Sequence, residues 1–194
     1  MKKILLLLTT FLLMIPLNAQ KTNTGWLNSV RHIYKKYDSA LQSINMPEED
    51  VEASKIKAKE QRTASLKEIH QRIIANEVFI GSEKNGKPDR SAEDEQTSAI
   101  PETSMVQLRA LQQKFAQIFP ADALAETGNH SAMLTFTLDT DGKIKKVQAQ
   151  GADEAFNLVS IITLYSLNST IDPILFNGQK VATNFTIPVK FKVQ

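Results

Sequence analysis

The chain has 194 residues, 42% hydrophobic and 23% charged, a balance that can build a core and excludes a disordered or collagen-like polymer. Its 23 Lys and Arg face 21 Asp and Glu, and without Lys2 and Lys3 at the amino terminus the basic count is also 21, so the positive field that selects phosphate backbones is missing and no nucleic-acid partner is expected. The absence of cysteine excludes disulfides, thiolate metal sites, a Cys nucleophile and a lipid-modified cysteine.

Lys2 and Lys3 precede a largely apolar run from Ile4 to Ile15, followed by Pro16, Leu17, Asn18 and Ala19. A basic start, an apolar stretch, a helix breaker and a small residue form the pattern of a secretory signal peptide. A bilayer-spanning helix needs roughly 20 apolar residues, and this run stops at Pro16, well short of that. Residues 1–19 are therefore read as a signal peptide cleaved near Ala19, with a periplasmic or secreted mature protein.

From Trp26 the apolar residues Trp26, Val30, Ile33, Tyr37, Leu41 and Ile44 recur at steps of three and four, one face of a helix. Met46 and Pro47 interrupt it. Pro47 followed by Glu48, Glu49, Asp50 and Glu52 starts a second helix, because carboxylates offset the positive end of the helix dipole. Leu66, Ile69 and Ile73 carry an apolar stripe along that second helix, so residues 20–80 read as a helical hairpin. The segment 81–104 holds Gly81, Gly86, Pro88 and Pro101 among polar residues with no apolar period, and reads as a polar linker.

Residues 105–194 read as an α+β unit. Leu108, Leu111, Phe115 and Ile118 mark a helix that Pro120 ends. Leu134, Phe136 and Leu138 then alternate with polar neighbours, the period-two signal of a half-buried strand. Asp139, Thr140, Asp141, Gly142 and Lys143 form a turn in which Gly142 supplies a positive φ, and Ile144 to Gln150 returns as a second strand. Phe156, Val159, Ile162 and Tyr165 mark a well-buried helix, and a second turn region passes through Pro173, Asn177 and Gly178. Phe185, Ile187, Val189, Phe191 and Val193 alternate with Thr186, Pro188, Lys190 and Lys192 in the clearest strand of the chain. The order helix, strand, strand, helix, strand implies a small three-stranded sheet with helices on one face, preceded by the hairpin. Pro188 has no N–H to give a ladder, so it fits an edge strand or the exposed hydrogen-bonding side of a strand better than the middle of a sheet.

The sequence offers no catalytic constellation, and the chain is read as a non-enzyme with no small-molecule substrate. Asp139, Asp141 and Gly142 resemble the start of a calcium loop, but Lys143, Ile144 and Lys145 follow where further oxygen ligands are needed, which leaves a hairpin turn. His32, His70 and His130 lie far apart and out of metal-ligand spacing, so they read as surface or helix-flank residues. No nucleophile elbow, Ser-x-x-Lys pair or glycine-rich phosphate loop is present. No metal and no cofactor are expected.

Phe119-Pro120 is followed by Ala121 and Ala123, Gly128 stands ahead of the first strand, and Phe136, Leu138, Asp139, Asp141, Gly142, Lys143 and Ile144 surround the hairpin. Pro173 and Gly178 in the later loop and Ile187-Pro188-Val189 with Phe191 and Val193 complete the set. With these features residues 115–194 resemble the C-terminal domain of TonB proteins. The resemblance implies a domain that grips an extended segment of an outer-membrane receptor by adding it to its last strand, which corresponds to Thr183 to Val193. The partner-binding residues it implies are Asn184, Phe185, Thr186, Ile187, Val189, Lys190, Phe191 and Lys192. A force-transmitting TonB also has an uncleaved membrane helix and a long proline-rich spacer, and many members carry Trp shortly before the loop proline, where Ile171 and Asp172 stand here. The expected function is that of an exported envelope protein that binds an outer-membrane receptor or another envelope protein by strand addition, in the setting of TonB-dependent transport. The alternatives are an anchored energy transducer with its amino terminus intact and a structural homodimer through the same edge.

Overall fold

The computed structural model describes residues 24–42, 48–83, 102–124, 128–167 and 172–193. The expected signal peptide at 1–19 lies outside these residues. The described residues fold as an α+β protein with four helices, a three-stranded antiparallel sheet and a separate two-stranded sheet.

Helices α1 (Thr24–Gln42) and α2 (Glu48–Glu83) pack against each other as the expected hairpin. In α1 the most buried positions are Leu27, Val30 and Tyr34, with Trp26, Ile33 and Tyr37 only partly covered. The buried face is therefore rotated from the anticipated stripe, because α1 touches both α2 and the later helix α4 (Glu154–Ser166). In α2, Leu66, Ile69 and Ile73 are buried as their spacing implies. Arg62 is buried too, its guanidinium 4.6 Å from the Tyr34 ring centroid and 4.0 Å from an Asp38 carboxylate oxygen. Burial pushes the Asp38 carboxyl above its usual range, and the Arg62 charge opposes that rise.

The expected linker at 81–104 is shorter at both ends. α2 continues through Gly81 to Glu83 and α3 (Glu102–Ile118) starts ahead of Ser104, while the rest of the segment lies outside the described residues. One glycine costs a helix about 1 kcal/mol, too little to end a 36-residue helix.

After a single 3₁₀ turn at Ala121–Ala123, β1 (Gly128–Leu138) forms the centre of the sheet, flanked by β2 (Ile144–Gln150) and β5 (Thr183–Val193) in the order β2-β1-β5. The β1–β2 turn is organised by Asp139, whose Oδ1 accepts hydrogen bonds from the Asp141 and Lys143 N–H groups, each at 2.8 Å. Its other carboxylate oxygen meets Lys145 Nζ, and Gly142 takes the left-handed φ of 75° that the turn demands. With both oxygens engaged by the turn itself, Asp139 has the geometry of a hairpin residue.

The second turn region holds two strands too short to show a period in sequence, β3 (Ile174–Phe176) and β4 (Gln179–Val181). They are joined by Asn177 and Gly178 at φ 50° and 77°, the pair of positive values that a tight hairpin turn requires.

Helix α4 lies between the sheet and the hairpin, in contact with β1 and β2 on one side and α1 and α2 on the other. Ten of its 13 residues are buried, the profile of a helix that is covered all round. Asp153 caps it by accepting the Phe156 N–H at 3.2 Å. One continuous apolar cluster joins Val30, Tyr34, Leu66 and Ile73 of the hairpin to Phe156 and Ile162 of α4 and to Leu134, Phe136 and Ile187 of the sheet. The hairpin is thus part of the same core as the C-terminal unit.

The link from β2 to α4 turns on Gly151. A Cβ there would stand 2.4 Å from the Ser131 carbonyl oxygen and 2.7 Å from Asn157 Oδ1, and backbone on the neighbouring strand cannot move aside cheaply. Gly151→Ala is expected to lower stability by about 1–3 kcal/mol, read as a shift in the urea unfolding midpoint with an unchanged slope.

Candidate partner-binding edge

The eleven residues of β5 pair with all eleven of β1 in unbroken antiparallel register, from Thr183 opposite Leu138 to Val193 opposite Gly128. Phe185, Ile187 and Val189 are buried in the core, while Asn184, Thr186, Pro188, Lys190 and Lys192 stand on the exposed face. Phe136 stacks on Phe185 at 5.6 Å between centroids, and Phe119 stacks on Phe191 at 4.1 Å. The sheet-side rings therefore hold β5 down from the core side, and its outer face is open.

Pro188 decides which backbone groups of β5 are committed. Antiparallel pairs alternate between those that exchange both backbone hydrogen bonds and those that exchange none. Pro188 sits opposite Met133 and has no N–H to exchange, so this pair is of the second kind and the proline nitrogen faces away from β1. By alternation the N–H and C=O groups of Asn184, Thr186, Lys190 and Lys192 also face away from β1. Those of Phe185, Ile187, Val189 and Phe191 bond to it. Thr137 Oγ1 donates to Asn184 Oδ1 at 2.7 Å, the close side-chain approach expected where a pair exchanges no backbone bonds. Among the described residues, no strand pairs with the second side of β5. Its outward donors come in two pairs separated by a proline.

The opposite edge of the sheet is handled differently. Between Thr135 opposite Gln148 and Thr137 opposite Lys145 the register slips, so Lys146 and Val147 together face Phe136 in a bulge. Lys146 adopts a left-handed φ of 51°. The bulge turns its N–H toward Glu77 Oε1 of α2 at 3.2 Å, and the Val147 N–H toward the Tyr165 hydroxyl of α4 at 3.1 Å. Tyr165 in turn donates to Glu77 Oε2 at 2.7 Å. Burial pushes the Tyr165 phenol well above its ordinary pKa, with the Val147 N–H opposing that rise and the Glu77 carboxylate adding to it. Two helices thus take the Lys146 and Val147 N–H groups at the middle of the β2 edge.

The histidines lie on three separate elements, His32 on α1, His70 on α2 and His130 on β1, with one departure from expectation. His130 is not a surface or helix-flank residue: it lies on β1 with its side chain 10% exposed, stacks on Phe156 at 5.4 Å, and places Nδ1 3.3 Å from Asp153 Oδ2. β1 begins as early as Gly128, which carries His130 onto the core-facing side. His70 is half-buried on α2, where burial depresses its pKa. The residues that sequence reasoning missed are Glu77 and Tyr165, which meet across 88 positions and carry no local signal of that contact.

No protein-family model matches the chain, and neither the curated proteins nor the solved structures contain a match. Among the described residues no helix is long and apolar enough to cross a membrane.

Two substitution sets test this description. Tyr165→Phe leaves the Val147 N–H buried without its acceptor and is expected to cost about 1–3 kcal/mol, with a positive coupling to Glu77→Gln in a double-mutant cycle on urea unfolding. A proline at Thr186 removes only an outward donor and is expected to leave a folded protein. Val189→Pro removes a ladder bond and a buried side chain, and is expected to lose about 3 kcal/mol or more by the same measurement.

Proposed function

We propose that the chain is an exported envelope protein whose C-terminal α+β unit takes an extended segment of a partner protein as an added strand on β5. The partner class is an outer-membrane receptor or another envelope protein, in the setting of TonB-dependent transport. One observation carries this reading, the contrast between the two sheet edges. The β2 edge is blunted by a bulge whose N–H groups are taken by Glu77 and Tyr165. The β5 edge runs for eleven residues and has no second neighbour among the described residues. A long unpaired edge is a template for another strand, and the fold has closed one edge and left the other. The order α3, β1, β2, α4, β3, β4, β5 contains the helix, strand, strand, helix, strand succession expected of residues 105–194, with the short β3–β4 hairpin inserted before β5. The residues proposed to meet the partner are Asn184, Thr186, Lys190 and Lys192 through their backbone groups, with Phe185, Ile187, Val189 and Phe191 holding the strand in place. The leader reading supports delivery to the periplasm or beyond.

The test is a pull-down from envelope extracts with the whole chain as bait, beside a Thr186→Pro, Lys190→Pro double variant that strips outward donors. Outer-membrane receptors identified by mass spectrometry are expected with the parent chain and absent with the variant. Equal recovery from both overturns strand addition. A stable dimer in equilibrium sedimentation, dissociated by the same variant, would assign the edge to a second copy of the chain.

A further inference from the structure

The outer face of β5 is not uniform, and its two halves differ in what they offer a fourth strand. The amino-terminal half presents the neutral side chains of Asn184 and Thr186, and Asn184 is already engaged by Thr137. The carboxyl-terminal half presents Lys190 and Lys192, both exposed, and neither has a carboxylate partner among the described residues. Their cross-strand neighbours on β1 are Ser131 and Asn129, which are uncharged. On the core side the halves differ in the same sense. Phe185, Ile187 and Val189 are 6%, 2% and 5% exposed, whereas Phe191 and Val193 are only partly covered. Unused positive charge, unused donors and unfilled apolar contact therefore coincide at residues 190–193, and Pro188 bounds them on the other side.

We infer that the segment accepted by β5 carries two carboxylates two residues apart with an apolar residue between them, and that it docks along Lys190 to Val193. This rests on the edge reading above and adds the partner's chemistry. A residue of the added strand opposite Lys190 lies about 5.5 Å away between Cα atoms with its side chain on the same outer face, and the next but one lies opposite Lys192. The residue between them points to the core side, where Phe191 and Val193 have room for contact. Lysines along an edge repel indiscriminate strands, and a segment bearing paired carboxylates turns that repulsion into selection. Pro188 interrupts the ladder between this half and Asn184 and Thr186, because a partner carbonyl opposite it finds no donor.

The experiment uses the whole chain with a synthetic peptide alternating Asp and Val, and a twin with Asn in place of Asp. Binding is followed by calorimetry, and amide exchange by NMR. The Asp peptide is expected to bind roughly fivefold to tenfold tighter than its twin at low salt, from two exposed charge pairs, with the gap closing at high ionic strength. Lys190→Gln with Lys192→Gln should erase the gap, and the amides of residues 190 and 192 should gain exchange protection in the parent complex. Equal affinity of the two peptides with protected amides overturns the charge selection and leaves the edge reading intact. Charge-dependent binding with both amides unprotected overturns pairing at this edge, and no binding of the Asp peptide overturns the inference itself.

Discussion

The burial of α4 is the constraint on which the rest of the structure depends. Phe156, Val159, Ile162 and Leu164 are each 0% exposed, and a helix covered to that degree needs an apolar partner on every side. The sheet supplies one cover and the α1–α2 hairpin the other. A three-stranded sheet alone would leave the far side of α4 in water, at a cost of about 25 cal/mol for each Å² of apolar surface. The hairpin is therefore a structural requirement of the C-terminal unit. Its own composition agrees, since Leu66, Ile69 and Ile73 are buried on a helix that packs against α1 and α4.

The same docking governs the sheet edges. Once α2 lies over α4, Glu77 comes within reach of Tyr165 and of the bulged strand β2, and one carboxylate takes both a hydroxyl and a backbone N–H. A bulge on an edge strand is a common way to spoil its pairing surface, and here the freed groups are satisfied from within the chain. Nothing equivalent acts on β5 among the described residues. The asymmetry is a consequence of where the hairpin sits, and it is what makes β5 the edge of interest.

Much of this was legible beforehand because it depends on short-range periodicity. The alternation from Phe185 to Val193 and from Leu134 to Leu138 marks strands whose one face is buried, and the spacing through Phe156 and Tyr165 marks a helix. Pro188 alone identified the edge strand, since a missing donor is a property of the residue and not of its surroundings. Its parity also divides β5 into committed and outward groups once the register opposite Met133 is known. What the sequence did not reveal are contacts between distant positions, such as Glu77 with Tyr165 and Arg62 with Tyr34. The rotated face of α1 belongs with these, because two neighbours compete for it. Three-residue strands such as β3 and β4 escaped because a period of two needs more repeats to show.

The sequence by itself determined the four helices and three longer strands of the described residues in their order, the hairpin turn at Asp139–Lys143, a turn at Asn177–Gly178, and the edge character of the last strand. Each of these follows from backbone sterics or from side-chain periodicity within about ten residues. Tertiary structure alone decided that the hairpin shares a core with the sheet, that β1 is central, and that the β2 edge is closed while β5 stays open. Those outcomes depend on which surfaces meet after the chain has collapsed, and burial rewards apolar area regardless of how far apart its residues lie in the chain.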